Sequence, residues 1–163
     1  MSAEINYLSE LVLFTRVILV ILIICFSCTA KKNDKTSSSY FTSKVWEYYE
    51  EKNYKKSLGL IDECIKLHLN EALRQQQSLN SLPKGDKAHD YWVLNDVGTC
   101  LYIKSEILEK KGKEFRKELI STLEFLSTKL KYSQCWDKNG WFWQPAVEAK
   151  SKLVKIEFDA LNE

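Results

Sequence analysis

The sequence predicts an all-α fold of about five helices, and three observations carry that prediction. Only two prolines, Pro83 and Pro145, and five glycines punctuate the 163 residues, and they fall where helical patterns stop. Apolar side chains recur at three- and four-residue intervals over long stretches, the period of a helix with one buried face. No segment reads as a convincing strand.

The first helix is predicted over about Tyr40 to Lys52, closing at Asn53. The second begins at Tyr54 and carries Leu58, Ile61, Cys64, Ile65, His68, Leu69, Ala72 and Leu73 in a sustained three/four spacing. It is expected to fray through Gln75-Gln76-Gln77 and to stop before Pro83-Lys84-Gly85. The third starts near Ala88 and shows Trp92, Val93, Val97, Cys100, Leu101, Ile107 and Leu108; Gly112, just past Lys110 and Lys111, is a good C-terminal stop. The fourth carries Leu119, Leu123, Leu126 and Leu130. Pro145 opens the fifth, with Val147, Leu153, Val154, Phe158 and Leu161.

Between the last two helices stands Cys135-Trp136-Asp137-Lys138-Asn139-Gly140-Trp141-Phe142-Trp143, which holds three of the five tryptophans. Asp137 and Gly140 suit the first and last positions of a type I turn, so the chain is expected to reverse there. The indoles of Trp136, Trp141 and Trp143 are read first as a packing device, each able to bury about 150 to 250 Å². The alternative is an outward platform for sugar rings or a partner peptide. Cys64, Cys100 and Cys135 are read as small buried hydrophobes; if a disulfide forms, Cys100 with Cys135 is the expected pair. Asp96, between Asn95 and Val97, is the carboxylate expected to be semi-buried and hydrogen-bonded.

The N-terminus reads as an address. Val17 to Phe26 is an unbroken apolar run after Arg16, shorter than the roughly 20 residues of a spanning helix. Ser27-Cys28 after that run resembles the lipobox of bacterial lipoproteins, which implies cleavage after residue 27 and a diacylated Cys28. Cys25 and Phe26 depart from the usual Leu-like and small residues of that motif. Residues 29 to 39 are polar and rich in Ser, Thr and Lys, as a tether should be. The expected organisation is therefore a signal peptide over 1–27, a lipid-anchored tether over 28–39 and a helical domain over 40–163. Glu4 and Glu10 are unusual in a leader, and Lys31, Lys32 and Lys35 follow the apolar run. By the positive-inside rule those lysines keep an uncleaved N-terminal anchor open as the alternative.

An internal repeat runs through the helices. Val45 and Tyr48 precede a turn at Lys52-Asn53 and then Ser57, Ile61 and Cys64; Ser105 and Leu108 precede Gly112-Lys113 and then Leu119, Leu123 and Leu126. Over about Tyr40 to Tyr132 this pattern resembles two degenerate tetratricopeptide repeats, with Ser57 and Leu119 where an alanine is usual. The segments around Tyr91 to Val97 and Gln134 to Trp143 look similar to exported bacterial helical-repeat proteins, some of them labelled glucanase precursors. The resemblance implies a right-handed bundle of antiparallel helix pairs, lipid-anchored in the cell envelope at the periplasmic face or the outer membrane, that binds an unknown protein partner. It implies Trp46, Tyr49 and Lys104 as contacts on the first helices of each pair.

Several functions fit the inventory poorly. A net charge of +2 and the lack of an Arg/aromatic ladder argue against nucleic acid. Cys64 and His68 lie one helical turn apart, but a structural zinc site needs four ligands and the only other histidine is His89. No Gly-rich phosphate loop, Ser-centred elbow or His-Glu-x-x-His pattern occurs. The expectation is a non-enzymatic interaction module without cofactor or metal, with a cell-wall glycan binder using Trp136, Trp141 and Trp143 as the competing class.

Overall fold

A computed structural model of the chain describes residues 35–136 and 142–162. They form five helices: α1 (Ser38–Glu50), α2 (Tyr54–Ser78), α3 (Trp92–Lys111), α4 (Arg116–Lys129) and α5 (Pro145–Leu161). A 3-10 turn over Gly85–Tyr91 leads into α3, and a shorter one over Lys113–Phe115 leads into α4. The all-α class expected from the sequence is the class observed. The one sheet among the described residues is a minimal hairpin, β1 (Cys135–Trp136) antiparallel to β2 (Phe142–Trp143). The signal peptide, Cys28 and most of the tether lie outside the described residues.

Local chemistry sets the helix ends. Ser37 caps α1, its hydroxyl accepting from the amide of Tyr40 at 3.2 Å, so the serine run read as tether already starts the helix. Asn53 caps α2 in the same way, accepting from Lys56 N. Gly112 closes α3 at φ 102°, a conformation that favours glycine, and Pro145 opens α5.

The second helix does not fray at its glutamines. It continues to Ser78 because Gln75 and Gln76 have distant partners: Gln75 Oε1 accepts from Leu94 N at 2.9 Å and the buried Gln76 Oε1 from Tyr132 N at 2.8 Å. Each thereby satisfies an amide at the edge of another element.

Packing runs through α3, which touches all four other helices; α1 also packs on α2, and α4 on α5. Its buried residues therefore lie around much of its circumference, with Leu94, Val97, Ile103 and Ile107 fully enclosed. The buried Ser57 donates to the carbonyl of Val45 at 3.1 Å where α1 and α2 meet. Lys152 of α5 reaches Glu106 of α3 at 2.6 Å and also pairs with Glu109.

The apolar pattern of α5 was expected to mark its buried face, and the structure corrects this. Val147, Val154, Phe158 and Leu161 are exposed, while Ala146 and Ala149 are buried with Leu153 and Ile156 packed beside them. Small alanine side chains let α5 approach its neighbours closely, and the larger apolar residues fall on the opposite side. No helix among the described residues is long and apolar enough to cross a membrane.

A candidate aromatic cleft

Two helices present matching stripes to one space. On α1, Ser39, Thr42, Ser43 and Trp46 stand at i, i+3, i+4 and i+7; on α3, Trp92, Asn95, Asp96 and Thr99 repeat the same spacing. The hairpin and the 3-10 turn add Trp136, Phe142 and His89, and the result is a cleft of about 460 Å³. That volume falls within the roughly 300–1,000 Å³ of small-molecule sites.

The hairpin's register decides which rings enter the cleft. Side chains alternate across a ladder, and Cys135 pairs with Trp143 while Trp136 pairs with Phe142. Cys135 Sγ meets Thr99 Oγ1 at 2.8 Å and Trp143 packs edge-on against Tyr102 at 4.7 Å, both on α3. Trp136 and Phe142 therefore turn to the other side and pack edge-to-face at 4.4 Å. His89 lies 5.2 Å from Trp92, 5.2 Å from Trp136 and 5.3 Å from Phe142, joining the four rings into one wall. Trp92 and Trp136 remain 57 % and 55 % exposed, so their indoles are offered to solvent.

Asn95 positions both arms of this wall. Its Nδ2 donates to the carbonyl of Ala88 beside His89, and its Oδ1 accepts from the amide of Gln134 beside the hairpin, each at 2.8 Å. Gln134 Nε2 in turn donates to the carbonyl of Pro83 at 2.9 Å. One side chain on a well-packed helix thus anchors two loop segments.

Asp96, which lines the cleft, is buried at 8 % exposed. Its Oδ2 accepts the Ser38 hydroxyl at 2.6 Å, which bears out the expected semi-buried, hydrogen-bonded carboxylate. Burial raises its pKa above the ordinary carboxylate value, opposed by hydrogen bonds from Ser38 and Thr42 and by the nearby His68. Among the described residues no Lys or Arg pairs with Asp96, and none lines the cleft.

The structure sorts the residues singled out from the sequence. Trp46 and Trp136 come together in the cleft, and Trp136 is exposed rather than a buried packing device. Trp143 does pack, against Tyr102, and Trp141 lies outside the described residues. Tyr49 packs against Trp46 and Tyr54 outside the cleft lining. Lys104 is not a surface contact: 17 % exposed, it bridges Asp62 of α2 at 3.6 Å and Glu118 of α4 at 2.8 Å.

The Cys100–Cys135 pairing is also corrected, because all three cysteines of the domain are buried free thiols. Cys100 sits against Cys64 and 3.9 Å from Thr42 Oγ1, while Cys135 is held by Thr99. The hydrogen bond from Cys64 and burial push the Cys100 thiol well up, and burial pushes Cys135 up to about 12. His68 Nε2 meets the carbonyl of Thr36 at 2.7 Å, and no group of three or more metal-binding side chains gathers among the described residues.

Sequence reasoning missed His89, Trp92, Phe142, Asn95 and Gln134 as one set. The available signal was on α3, where Asn95 and Thr99 share a helical face with Trp92 and make an aliphatic-core role for that indole improbable. No known family, curated protein or solved structure matches the chain.

Proposed function

We propose that the chain is a non-catalytic binding protein of the bacterial cell envelope, held to a membrane by a lipid on Cys28, and that its working surface is the aromatic cleft between α1 and α3. The observation that carries this reading is the pair of half-exposed indoles, Trp92 and Trp136, on a cleft that is also lined by a buried carboxylate. Exposed aromatic clusters of this kind are common anchors for ligands and partners.

The helix contacts support a tetratricopeptide-like arrangement. Each first helix of a pair, α1 and then α3, touches its own partner and the next first helix, and the cleft lies on the face the first helices share. Folds of this type bind along that face. Binding is favoured over catalysis because Asp96 is the one carboxylate among the described lining residues, and the Cys135 thiol stays protonated near neutral pH.

Site-specific photo-crosslinking in intact cells tests this. A benzophenone side chain in place of Trp92 should give a discrete adduct to an envelope component, and one in place of Val147, 50 % exposed on α5, should not. Adducts from Val147 alone would reject the cleft as the working surface. A glycan adduct from Trp92 would favour the carbohydrate reading, which the outward indoles also support; a protein adduct favours a peptide partner. The lipid anchor is tested separately by mass spectrometry of the membrane-extracted protein, where an unmodified Cys28 would reject it.

A further inference from the structure

The chemistry of the ligand can be read from what the polar atoms of the cleft already do. Asn95 uses both ends of its amide within the protein, Gln134 commits its Nε2 to Pro83, and the Thr99 hydroxyl donates to the carbonyl of Asn95 at 2.8 Å. A neutral sugar, which is recognised through many directed hydrogen bonds, would find few of these groups available. An anion would find no Lys or Arg among the described lining residues and would face Asp96. What is left to a ligand is mainly aromatic surface, the Ser39 and Ser43 hydroxyls of α1 and one carboxylate.

That carboxylate has the less common property. A charge taken out of water is normally balanced by a paired opposite charge. Asp96 is 8 % exposed, and among the described residues its carboxylate is met by the Ser38 and Thr42 hydroxyls of α1 with His68 nearby, while no lysine or arginine pairs with it. Indole faces attract cations, most strongly where water is excluded. A primary ammonium group would still need acceptors for all its N–H bonds, whereas a quaternary ammonium has none to satisfy.

Resting on the cleft being the binding site, we infer that it takes an organic cation of the quaternary ammonium type, its methyl groups against Trp46, Trp92 and Trp136 and its charge balanced by Asp96. The cleft exceeds the size of such a head group, leaving room for the chain that carries it. A free choline-like solute, a trimethyl-lysine side chain and a phosphatidylcholine head group share this chemistry.

The test is calorimetric titration of the full-length protein in a polyoxyethylene detergent. The probes are choline, its neutral isostere 3,3-dimethyl-1-butanol, a trimethyl-lysine peptide with its unmethylated twin, a chitin oligosaccharide, and mixed micelles of the same detergent with phosphatidylcholine or with phosphatidylglycerol. Choline is expected to bind at least tenfold more tightly than the isostere. Asp96→Asn should weaken choline at least tenfold and leave the isostere unchanged, and Trp136→Ala, at an exposed position, should weaken choline with the circular dichroism intact. The tightest of the three quaternary-ammonium probes identifies the source.

Equal binding of choline and its isostere, or full choline binding by Asp96→Asn, overturns the inference. Trp136-dependent binding of a chitin oligosaccharide or of the unmethylated peptide, with no response to any quaternary ammonium, overturns the cation while leaving the cleft as a site. Loss of every Trp136-dependent signal, together with no crosslink from Trp92, overturns both.

Discussion

Asp96 carries a free-energy penalty that its neighbours only partly offset. Burial makes the folded protein hold the Asp96 proton more tightly than the unfolded chain does, so its contribution to stability is largest below the unfolded value near pH ~4 and is lost as pH rises through the higher folded value. Asp96→Asn does not titrate and can still accept the Ser38 hydroxyl. It is expected to melt a few degrees above wild type at pH 7, with the gap closing toward pH ~4. Thermal melts by circular dichroism across that range check this, and a variant less stable at pH 7 would show that Asp96 has a compensating partner. A charge retained against stability is a frequent mark of a ligand site. Gly98 is constrained differently: a Cβ there would stand 2.5 Å from the side chain of the buried Ser133. Gly98→Ala should destabilise by about 1–3 kcal/mol in urea unfolding, and adding Ser133→Gly should recover part of that loss.

At the scale of the helix, what was legible in the sequence and what was not divide by distance along the chain. Gly112, Pro145 and the Tyr54 start of α2 were readable because a stop, an N1 proline or a cap acts within one turn. The C-terminal end of α2 was not, since Gln75 and Gln76 are held by amides 19 and 56 residues away. Gln76→Ala should therefore cost about 1–3 kcal/mol by leaving Tyr132 N unpaired, with faster amide exchange at Tyr132 as the local readout. Helical period alone also misassigned α5. Val154 and Phe158 fit the spacing of a buried stripe yet are each 65 % exposed, because Ala146 and Ala149 allow the closer contact. Phe158→Ser should leave the melting temperature within the scatter of surface substitutions and raise solubility, and a large drop in stability would restore that stripe to the core. The aromatic cleft was half legible: Trp46, Trp136 and Asp96 had been singled out, but the ladder register that separates Trp136 from Trp143 was not available from composition.

At the scale of the whole molecule, no disulfide links the helices among the described residues, so the stability of the helical domain is expected not to depend on redox conditions. Cys64, Cys100 and Cys135 are buried and free, and the pKa values of Cys100 and Cys135 are raised, so the native protein should resist iodoacetamide at all three. Peptide mass spectrometry should find these three labelled in denaturant without added reductant, and dithiothreitol should leave the melting temperature unchanged. A requirement for reductant would restore a disulfide. The final consequence concerns Ser39, the first residue of the α1 stripe. It follows the α1 cap Ser37 by two residues, and the cap stands nine residues after Cys28, where an extended chain spans at most about 3.6 Å per residue. If Cys28 carries the proposed lipid, the cleft works on a leash of at most about 32 Å from Cys28 to the α1 cap Ser37, which would confine its search to a thin shell over the bilayer and raise the effective concentration of any ligand fixed in that shell. Lengthening the leash with Gly/Ser residues would dilute that advantage for a membrane-bound ligand and leave a freely diffusing one unaffected.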